Sequence, residues 1–352
     1  MKASISEVVF GKLDDGSVIK QFKLRNARGS IATFLNLGAS WVGFQREADK
    51  ESLVLGCTSA EAFANQHAFL GSTVGRWANR IGHGRLALNG QMIQLEINLP
   101  PHHLHGGNSG FSHQIWQSNI QLVDDKTPTL TFTYFSPDGE GGFPGNVSTT
   151  VTITLTDDDT VNFQYHATTD ADTVLNITNH SYFNLAGQSE GNLKNHEFKI
   201  ESQTYLDADE TALPTGTLLS TQNTVLNFTD WVNAYQNLTP MTDEVLVRAG
   251  GYDHCYCFEN DRKLKVLATA RHLATNTELT CRSNLPGMQF YTSNFLGGTP
   301  VGNGTHYQTH GAFCFEPGLW PDSPNHSHFP ESVISPEQEF SAIIEYSFKS
   351  LE

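Results

Sequence analysis

Val151-Thr152-Ile153-Thr154-Leu155 alternates strictly between apolar and polar residues, Asp157-Asp158-Asp159 turns the chain, and Val161-Asn162-Phe163-Gln164-Tyr165 alternates again. Successive side chains of a strand point to opposite faces, so each segment has one apolar and one polar face. Two such segments across a short acidic turn make an antiparallel pair with one face buried.

The same texture runs outward in both directions. Strands are expected at Ser17–Leu24, Ile31–Leu37, Ser52–Leu55, Ile115–Leu122, Thr129–Phe135, Val147–Leu155 and Val161–Ala167, and later at Glu197–Glu201, Lys263–Thr269, Glu278–Cys281, Met288–Tyr291, Gly311–Phe315 and Glu337–Ser347. Arg85–Leu88 and Gln91–Leu95 flank Asn89-Gly90, a strong hairpin signal. Helix signals are few: Thr58-Ser-Ala-Glu61 reads as a capping box opening a short turn through Asn65, and another turn is expected around Phe228–Ala234. Helices and strands do not alternate, and no repeat or linker interrupts the 352 residues. The expected fold is all-β: one domain over residues 1–352, an antiparallel sandwich of two large sheets with a few short helical turns.

A net charge of −16 and a pI near 5.3 argue against nucleic acid or an anionic membrane as partner. Met1–Leu24 has no apolar signal-peptide core, and no run is long enough to span a bilayer. The five cysteines form no zinc-type pattern and read as reduced, structural thiols of a cytoplasmic protein.

Chemistry concentrates in the loops. In Ala312-Phe-Cys-Phe-Glu316-Pro-Gly318 an apolar run ends in a carboxylate, and Pro317-Gly318 is expected to stop the strand there. Alone, such a Glu is ordinary turn chemistry; burial and partners decide. Gly75-Arg-Trp-Ala-Asn79-Arg80-Ile-Gly82 gathers forked donors and an amide suited to vicinal hydroxyls, or else surface charge over apolar area. His102-His103-Leu104-His105 suggests metal, yet alternation splits the first two and no further ligand completes a shell, so hydrogen bonding to a polar substrate is the better reading. Asn179-His180-Ser-Tyr182 offers an imidazole for acid–base work or a satisfied core histidine. Asp253 and Gln289 offer a carboxylate and an amide, each weak alone.

Taken in order, Gly75-Arg-Trp-Ala-Asn-Arg-Ile81, Leu104-His-Gly-Gly107, Asn179-His-Ser-Tyr-Phe-Asn-Leu185, Tyr252-Asp-His254, Gly287-Met-Gln289 and Cys314-Phe-Glu316 through Pro321-Asp-Ser-Pro-Asn325 resemble the aldose 1-epimerase (galactose mutarotase) family. The resemblance implies a β-supersandwich with its site in a cleft, and a cofactor-free, metal-free exchange of the α and β anomers of free hexoses such as galactose and glucose. It implies Glu316 as general base, His180 as general acid, and Asn79, Arg80, His105, Tyr182, Asp253 and Gln289 as sugar-binding residues. Trp77 stands where the family often has another aromatic, and Glu316-Pro317-Gly318 replaces a more usual Glu-Thr/Ser-Gln. The second departure puts the loop geometry beside the base, and with it the sugar preference, in question. The implied partner is a small aldose, handled by a monomer or weak homodimer.

The chemistry fits these parts. Opening a hemiacetal removes a proton from the C1 hydroxyl and delivers one to the ring oxygen; rotation about C1–C2 and reclosure then invert the anomer. Three alternatives remain. A hexose-6-phosphate epimerase of the same fold would want cations around the cleft, for which Arg76 and Arg80 are candidates. A non-catalytic sugar-binding protein could dispense with a base. A glycoside hydrolase would need two carboxylates across the scissile bond, with Asp253 the obvious partner for Glu316.

Overall fold

A computed structural model describes residues 1–351. The expected central hairpin is present: across Val147–Leu155 and Thr160–Thr169, Val151 pairs with Tyr165 and Ile153 with Phe163. Val151, Ile153, Leu155, Val161, Phe163 and Tyr165 are all buried, so the alternation reads out directly as one core-facing row per strand. The two strands lie inside an eight-stranded antiparallel sheet ordered Gln117–Val123, Thr127–Ser136, Val147–Leu155, Thr160–Thr169, Phe340–Ser350, Thr277–Ser283, Lys265–His272, His196–Ile200. The last strand of the chain thus sits mid-sheet and joins its two halves.

Two smaller sheets cover this layer. Ser4–Lys12, Val18–Arg25, Ile31–Leu35 and Ser40–Gln45 form a four-stranded meander. It drives Phe22 onto Phe132, Phe34 onto Phe163 and Trp41 onto Tyr346, with ring centroids 5.5, 6.2 and 5.6 Å apart. Pro214–Ser220, Thr204–Ala208, Asp253–Cys257, Gly287–Tyr291 and Cys314–Gly318 form a five-stranded sheet in that order. Its Phe290 and Phe315 pack on Phe198 of the large sheet, at 5.0 and 6.3 Å. All these rings belong to one continuous apolar cluster. Such pairs each add roughly 0.5–1.5 kcal/mol beyond their burial, which fixes the spacing of the layers. The result is the expected all-β antiparallel sandwich, with one layer divided between two sheets.

The five-stranded sheet carries the chemistry because its two faces differ. Phe290 opposite Phe315 and Tyr256 opposite Met288 face the core. The rows Asp253–Tyr291–Cys314 and Cys255–Gln289–Glu316 project from the other face. The core side of the outermost strand is pinned where Tyr346 Oη donates to the Phe315 carbonyl at 2.7 Å.

Some expectations fail for identifiable reasons. The ladder does not stop at Glu316: Pro317 pairs with Met288 and Gly318 with Gly287. The strand is at the sheet edge, where the absent Pro N–H costs no ladder bond. Ser52–Leu55 supplies only a single bridge, from Val54 to Phe183. The short helix is Ala60–Ala64, capped by Ser59 accepting from the Ala62 N–H, so Glu61 is too early for the capping box. Phe228–Ala234 runs against the large sheet through a Phe198–Val232 bridge, and the helical turn begins at Tyr235. Helix Glu244–Ala249, capped by Asp243 and ended by Gly250 in the left-handed region, was not anticipated, nor were strands Ser4–Lys12, Ser40–Gln45, Thr204–Ala208 and Pro214–Ser220.

Replacing Tyr346 by Phe leaves the Phe315 carbonyl without its buried donor. The expected loss is about 1–3 kcal/mol, visible as a lower urea midpoint with an unchanged transition slope.

Candidate active site

Short backbone ties hold the imidazole of His180. Thr178–Asn179 pairs with Thr73–Val74, then the His180 N–H donates to the Ser72 carbonyl and its own carbonyl accepts the Gly71 N–H, both at 2.9 Å. Asn179 Nδ2 donates to the Gly71 carbonyl at 2.7 Å, and the Ser181 hydroxyl donates to Asn179 Oδ1. The ring is stacked between Tyr182 and Phe69, with centroids 5.0 and 6.1 Å away. Its Nε2 faces Glu316 Oε2 at 3.6 Å, and Nδ1 faces the Cys314 thiol at 3.7 Å. Glu316 and His180 are only 7% and 5% exposed.

The other groups arrive from separate elements. Asn79 sits in the left-handed region at φ 69°, and its Oδ1 accepts the Arg80 N–H at 2.8 Å. The Asn79 N–H in turn donates to His105 Nδ1 at 3.1 Å. Across the sheet, Gln289 Nε2 donates to Asp253 Oδ1 at 2.6 Å. All eight residues singled out in the sequence line one cavity of roughly 370 Å³: Asn79, Arg80, His105, His180, Tyr182, Asp253, Gln289 and Glu316. This is the size range of a small-molecule site.

Burial dominates the electrostatics. It pushes the Glu316 carboxyl well above the ordinary carboxylate range; Asp253 adds to the rise and Arg80 opposes it. Burial lowers His180 to about 4 and drives His105 well below the usual imidazole range. Tyr182 is pushed upward, so its hydroxyl stays protonated. It donates to the Ala68 carbonyl at 2.8 Å, which leaves its ring rather than a free hydroxyl donor to shape the cavity.

His105, His180 and Glu316 bring three potential ligand atoms within 4.8 Å of one another. A metal there would need a lone pair from His105. Its Nδ1 already accepts the Asn79 N–H, so in the neutral ring Nε2 carries the hydrogen and is a donor. The triad is built to donate to an oxygen more than to ligate a cation. His102 and His103 lie outside the cavity lining: His102 Nε2 meets Thr211 Oγ1 at 2.7 Å, and His103 Nδ1 donates to the Glu96 carbonyl at 2.7 Å.

Arg76 is not a ligand-binding cation either. It is buried, donating to Ser136 Oγ and to the carbonyls of Ser136, Pro137 and Pro144 at 2.7–3.0 Å. Three lining aromatics were missed. Tyr291 follows Gln289 by two residues on one strand, so alternation pointed to it. Phe69, at φ 53°, and Phe295, 74% exposed, left no sequence signal.

A largely apolar and aromatic cavity carrying a facing carboxyl and imidazole, two amides and one Arg defines a β-sandwich enzyme that moves protons on a polyhydroxylated ligand. The family model for aldose 1-epimerase matches residues 20–347. Galactose mutarotase of Mus musculus is 35% identical over 350 residues, 98% of both chains, and aldose 1-epimerase of Escherichia coli is 34% identical over 341 residues, 95% of this chain and 96% of that one. A solved galactose 1-epimerase from Lactobacillus acidophilus superposes with a TM-score of 0.88 at 23% identity, covering 99% of this chain and 100% of that one. The chain belongs to the aldose 1-epimerase family. It is an isomerase that interconverts aldose anomers.

Arg76→Met would leave four acceptors without their donor, the two on Ser136 buried, so about 3 kcal/mol of stability should be lost. Chemical denaturation measures this, and KM for sugar in the folded fraction should stay within twofold.

Proposed function

We propose that the chain catalyses anomer exchange of free hexoses, galactose and glucose, with Glu316 as general base and His180 as general acid. The observation that carries the reading is the Glu316–His180 pair, 3.6 Å apart in a cavity that also presents Asn79, Arg80, His105, Asp253 and Gln289 among aromatic and aliphatic walls. In the ring-opening direction Glu316 takes the C1 hydroxyl proton while Nε2 of His180 protonates the ring oxygen; reclosure on the other face reverses both transfers. His105 Nε2–H donates to a sugar oxygen, the paired Asp253 and Gln289 bind hydroxyls at the far wall, and Asn79 and Arg80 bind from the opposite side. Tyr182 contributes its ring face. Each proton-transfer partner is typically worth ~10²–10⁴-fold.

The arrangement disfavours a phosphosugar. With Arg76 committed elsewhere, Arg80 is the one Lys or Arg on the cavity wall among the described residues. A hydrolase is disfavoured because Asp253 is bonded to Gln289, and the group facing Glu316 is an imidazole. All eight groups come from one chain, which supports a site complete in a monomer or weak homodimer. Five free cysteines support a reducing, cytoplasmic setting, and no helix among the described residues is long and apolar enough to cross a membrane.

Polarimetry on freshly dissolved α-D-galactose should show optical rotation decaying far faster than in buffer, and no acceleration at micromolar protein would end the reading. Glu316→Gln should lose at least a hundredfold in rate with a nearly unchanged melting temperature, and a chelator should leave the wild-type rate intact.

The pH profile has a definite sign. Because Glu316 is raised and His180 lowered, the resting pair holds one proton over a wide range. Carboxylate with imidazolium, the active form, is a tautomer of carboxylic acid with neutral imidazole, so its fraction does not change while that single proton remains. The rate should fall on the acid side near pH 4, as a second proton enters, and on the alkaline side above the ordinary carboxylate range, as the last one leaves. A kcat/KM profile measured in galactose should be flat between these limbs.

A further inference from the structure

Behind Glu316 lies a second, much smaller cavity of about 20 Å³. Glu316, Asn79 and Gln289 line both cavities, so these side chains form the partition between them. The remaining wall includes Thr178, Asn176, Cys255 and Pro317. A site needs roughly 10–15 Å³ and two to four polar partners to hold a water, and this one has room for a single molecule.

The polar groups around it are unevenly satisfied. Asn176 is fully engaged: Nδ2 donates to the Ala78 carbonyl at 3.0 Å and Oδ1 accepts the Leu319 N–H at 2.8 Å. Gln289 is tied to Asp253. Thr178 is 2% exposed, and its Oγ1 is buried without a hydrogen-bond partner from the protein. A buried hydroxyl left unsatisfied costs about 1–3 kcal/mol, so a partner within this cavity is strongly favoured. Among the described residues, the carboxyl of Glu316 is the one ionisable group lining that cavity beside the buried thiol of Cys255, and its contact with His180 is made by a residue that lines only the large cavity.

We propose that the small cavity holds one water which links the Thr178 hydroxyl to the rear of the Glu316 carboxyl, making Thr178 a positioning residue for the base. The inference rests on Glu316 being the base. The hydroxyl donates to the water and the water donates to the carboxyl oxygen, an orientation that favours the carboxylate over the acid. Charged groups facing Glu316 are Arg80, which favours the carboxylate, and Asp253, which opposes it; His180 faces its other side. Thr178 thereby adds a neutral donor where no second cation approaches. It also restrains the carboxyl from behind, while the front oxygen stays available to the C1 hydroxyl.

The test compares Thr178→Val, which keeps the shape and removes the hydroxyl, with Thr178→Ser, which restores it. Weakening the donor chain raises the proton affinity of Glu316. The alkaline limb of kcat/KM should move up by about half to one pH unit, and the plateau should fall roughly three- to tenfold, one pH unit being tenfold in proton occupancy. Thr178→Ser should recover both within about twofold. A Thr178→Val enzyme with the wild-type limb and plateau overturns the inference, as does one that loses melting temperature alone. If Glu316→Gln keeps full rate, the base assignment fails instead, so the two failures are distinguishable. Should Thr178→Val not fold, a high-resolution crystal structure of the wild-type enzyme decides: a water within hydrogen-bond distance of both Thr178 Oγ1 and Glu316 supports the inference, and Thr178 bonded to another group overturns it.

Discussion

Everything in the site depends on two ionisable groups held out of water at 3.6 Å, Glu316 and His180. In water a carboxyl and an imidazole would differ by about two pKa units in the direction that separates charge. Burial reverses this order here, raising the acid and lowering the base, because each charged form loses hydration; Arg80 offsets only part of that loss at Glu316. Either tautomer of the singly protonated pair is therefore within reach, so a ligand between them could give a hydroxyl proton to one group while a second oxygen takes a proton from the other. The same poise suits both directions of an anomer exchange, whose start and end states differ little in free energy.

Such a pair is useful only if its parts cannot drift, and the scaffold acts on each differently. Glu316 is one residue from Phe315, and strand alternation turns one toward the site and the other into the core. The packing of Phe315 on Phe198 and its carbonyl bond to Tyr346 therefore position Glu316 from the core side. His180 has no such strand; a three-residue run of backbone and Asn179 bonds, and the stack with Tyr182 and Phe69, do the equivalent work. His105 is oriented through its Nδ1 by the Asn79 amide, so one left-handed residue sets both an amide of the site and the tautomer of an imidazole.

The fold was legible where one face of a strand is buried and the other is not. Val147–Leu155 and Thr160–Thr169 alternate because they lie inside a sheet with a single core face. Ser40–Gln45 was missed because it is buried on both sides, which removes the alternation, and Ser4–Lys12 because it is an exposed edge with none to show. The site residues came forward through family resemblance more than through spacing, which leaves the Gly75–Gly82 turn open between hydroxyl binding and surface charge and does not tell Arg76 from Arg80. Only three dimensions separate them: Arg76 turns inward to four backbone and hydroxyl acceptors, while Arg80 turns to the cavity. Phe69 and Phe295 belong to loops whose course no local pattern specifies.

The departure at Pro317-Gly318 is the most instructive of these cases. In sequence it stands beside Glu316, where a change of loop geometry and of sugar preference is expected. In the sheet, Pro317 lies on the opposite face from Glu316, paired with Met288, and its lack of an N–H matters little on an outer strand. Gly318 approaches Asn176 so closely that an added Cβ would stand 3.2 Å from Oδ1, the atom that accepts the Leu319 N–H. Neither residue lines the large cavity, and both line the small one beside Glu316. The substitution therefore acts on how the rear of Glu316 is packed and hydrated, which bears on its proton affinity. The other residues proposed to bind the sugar, Arg80, His105, Tyr182 and Asp253, line the large cavity and not the small one.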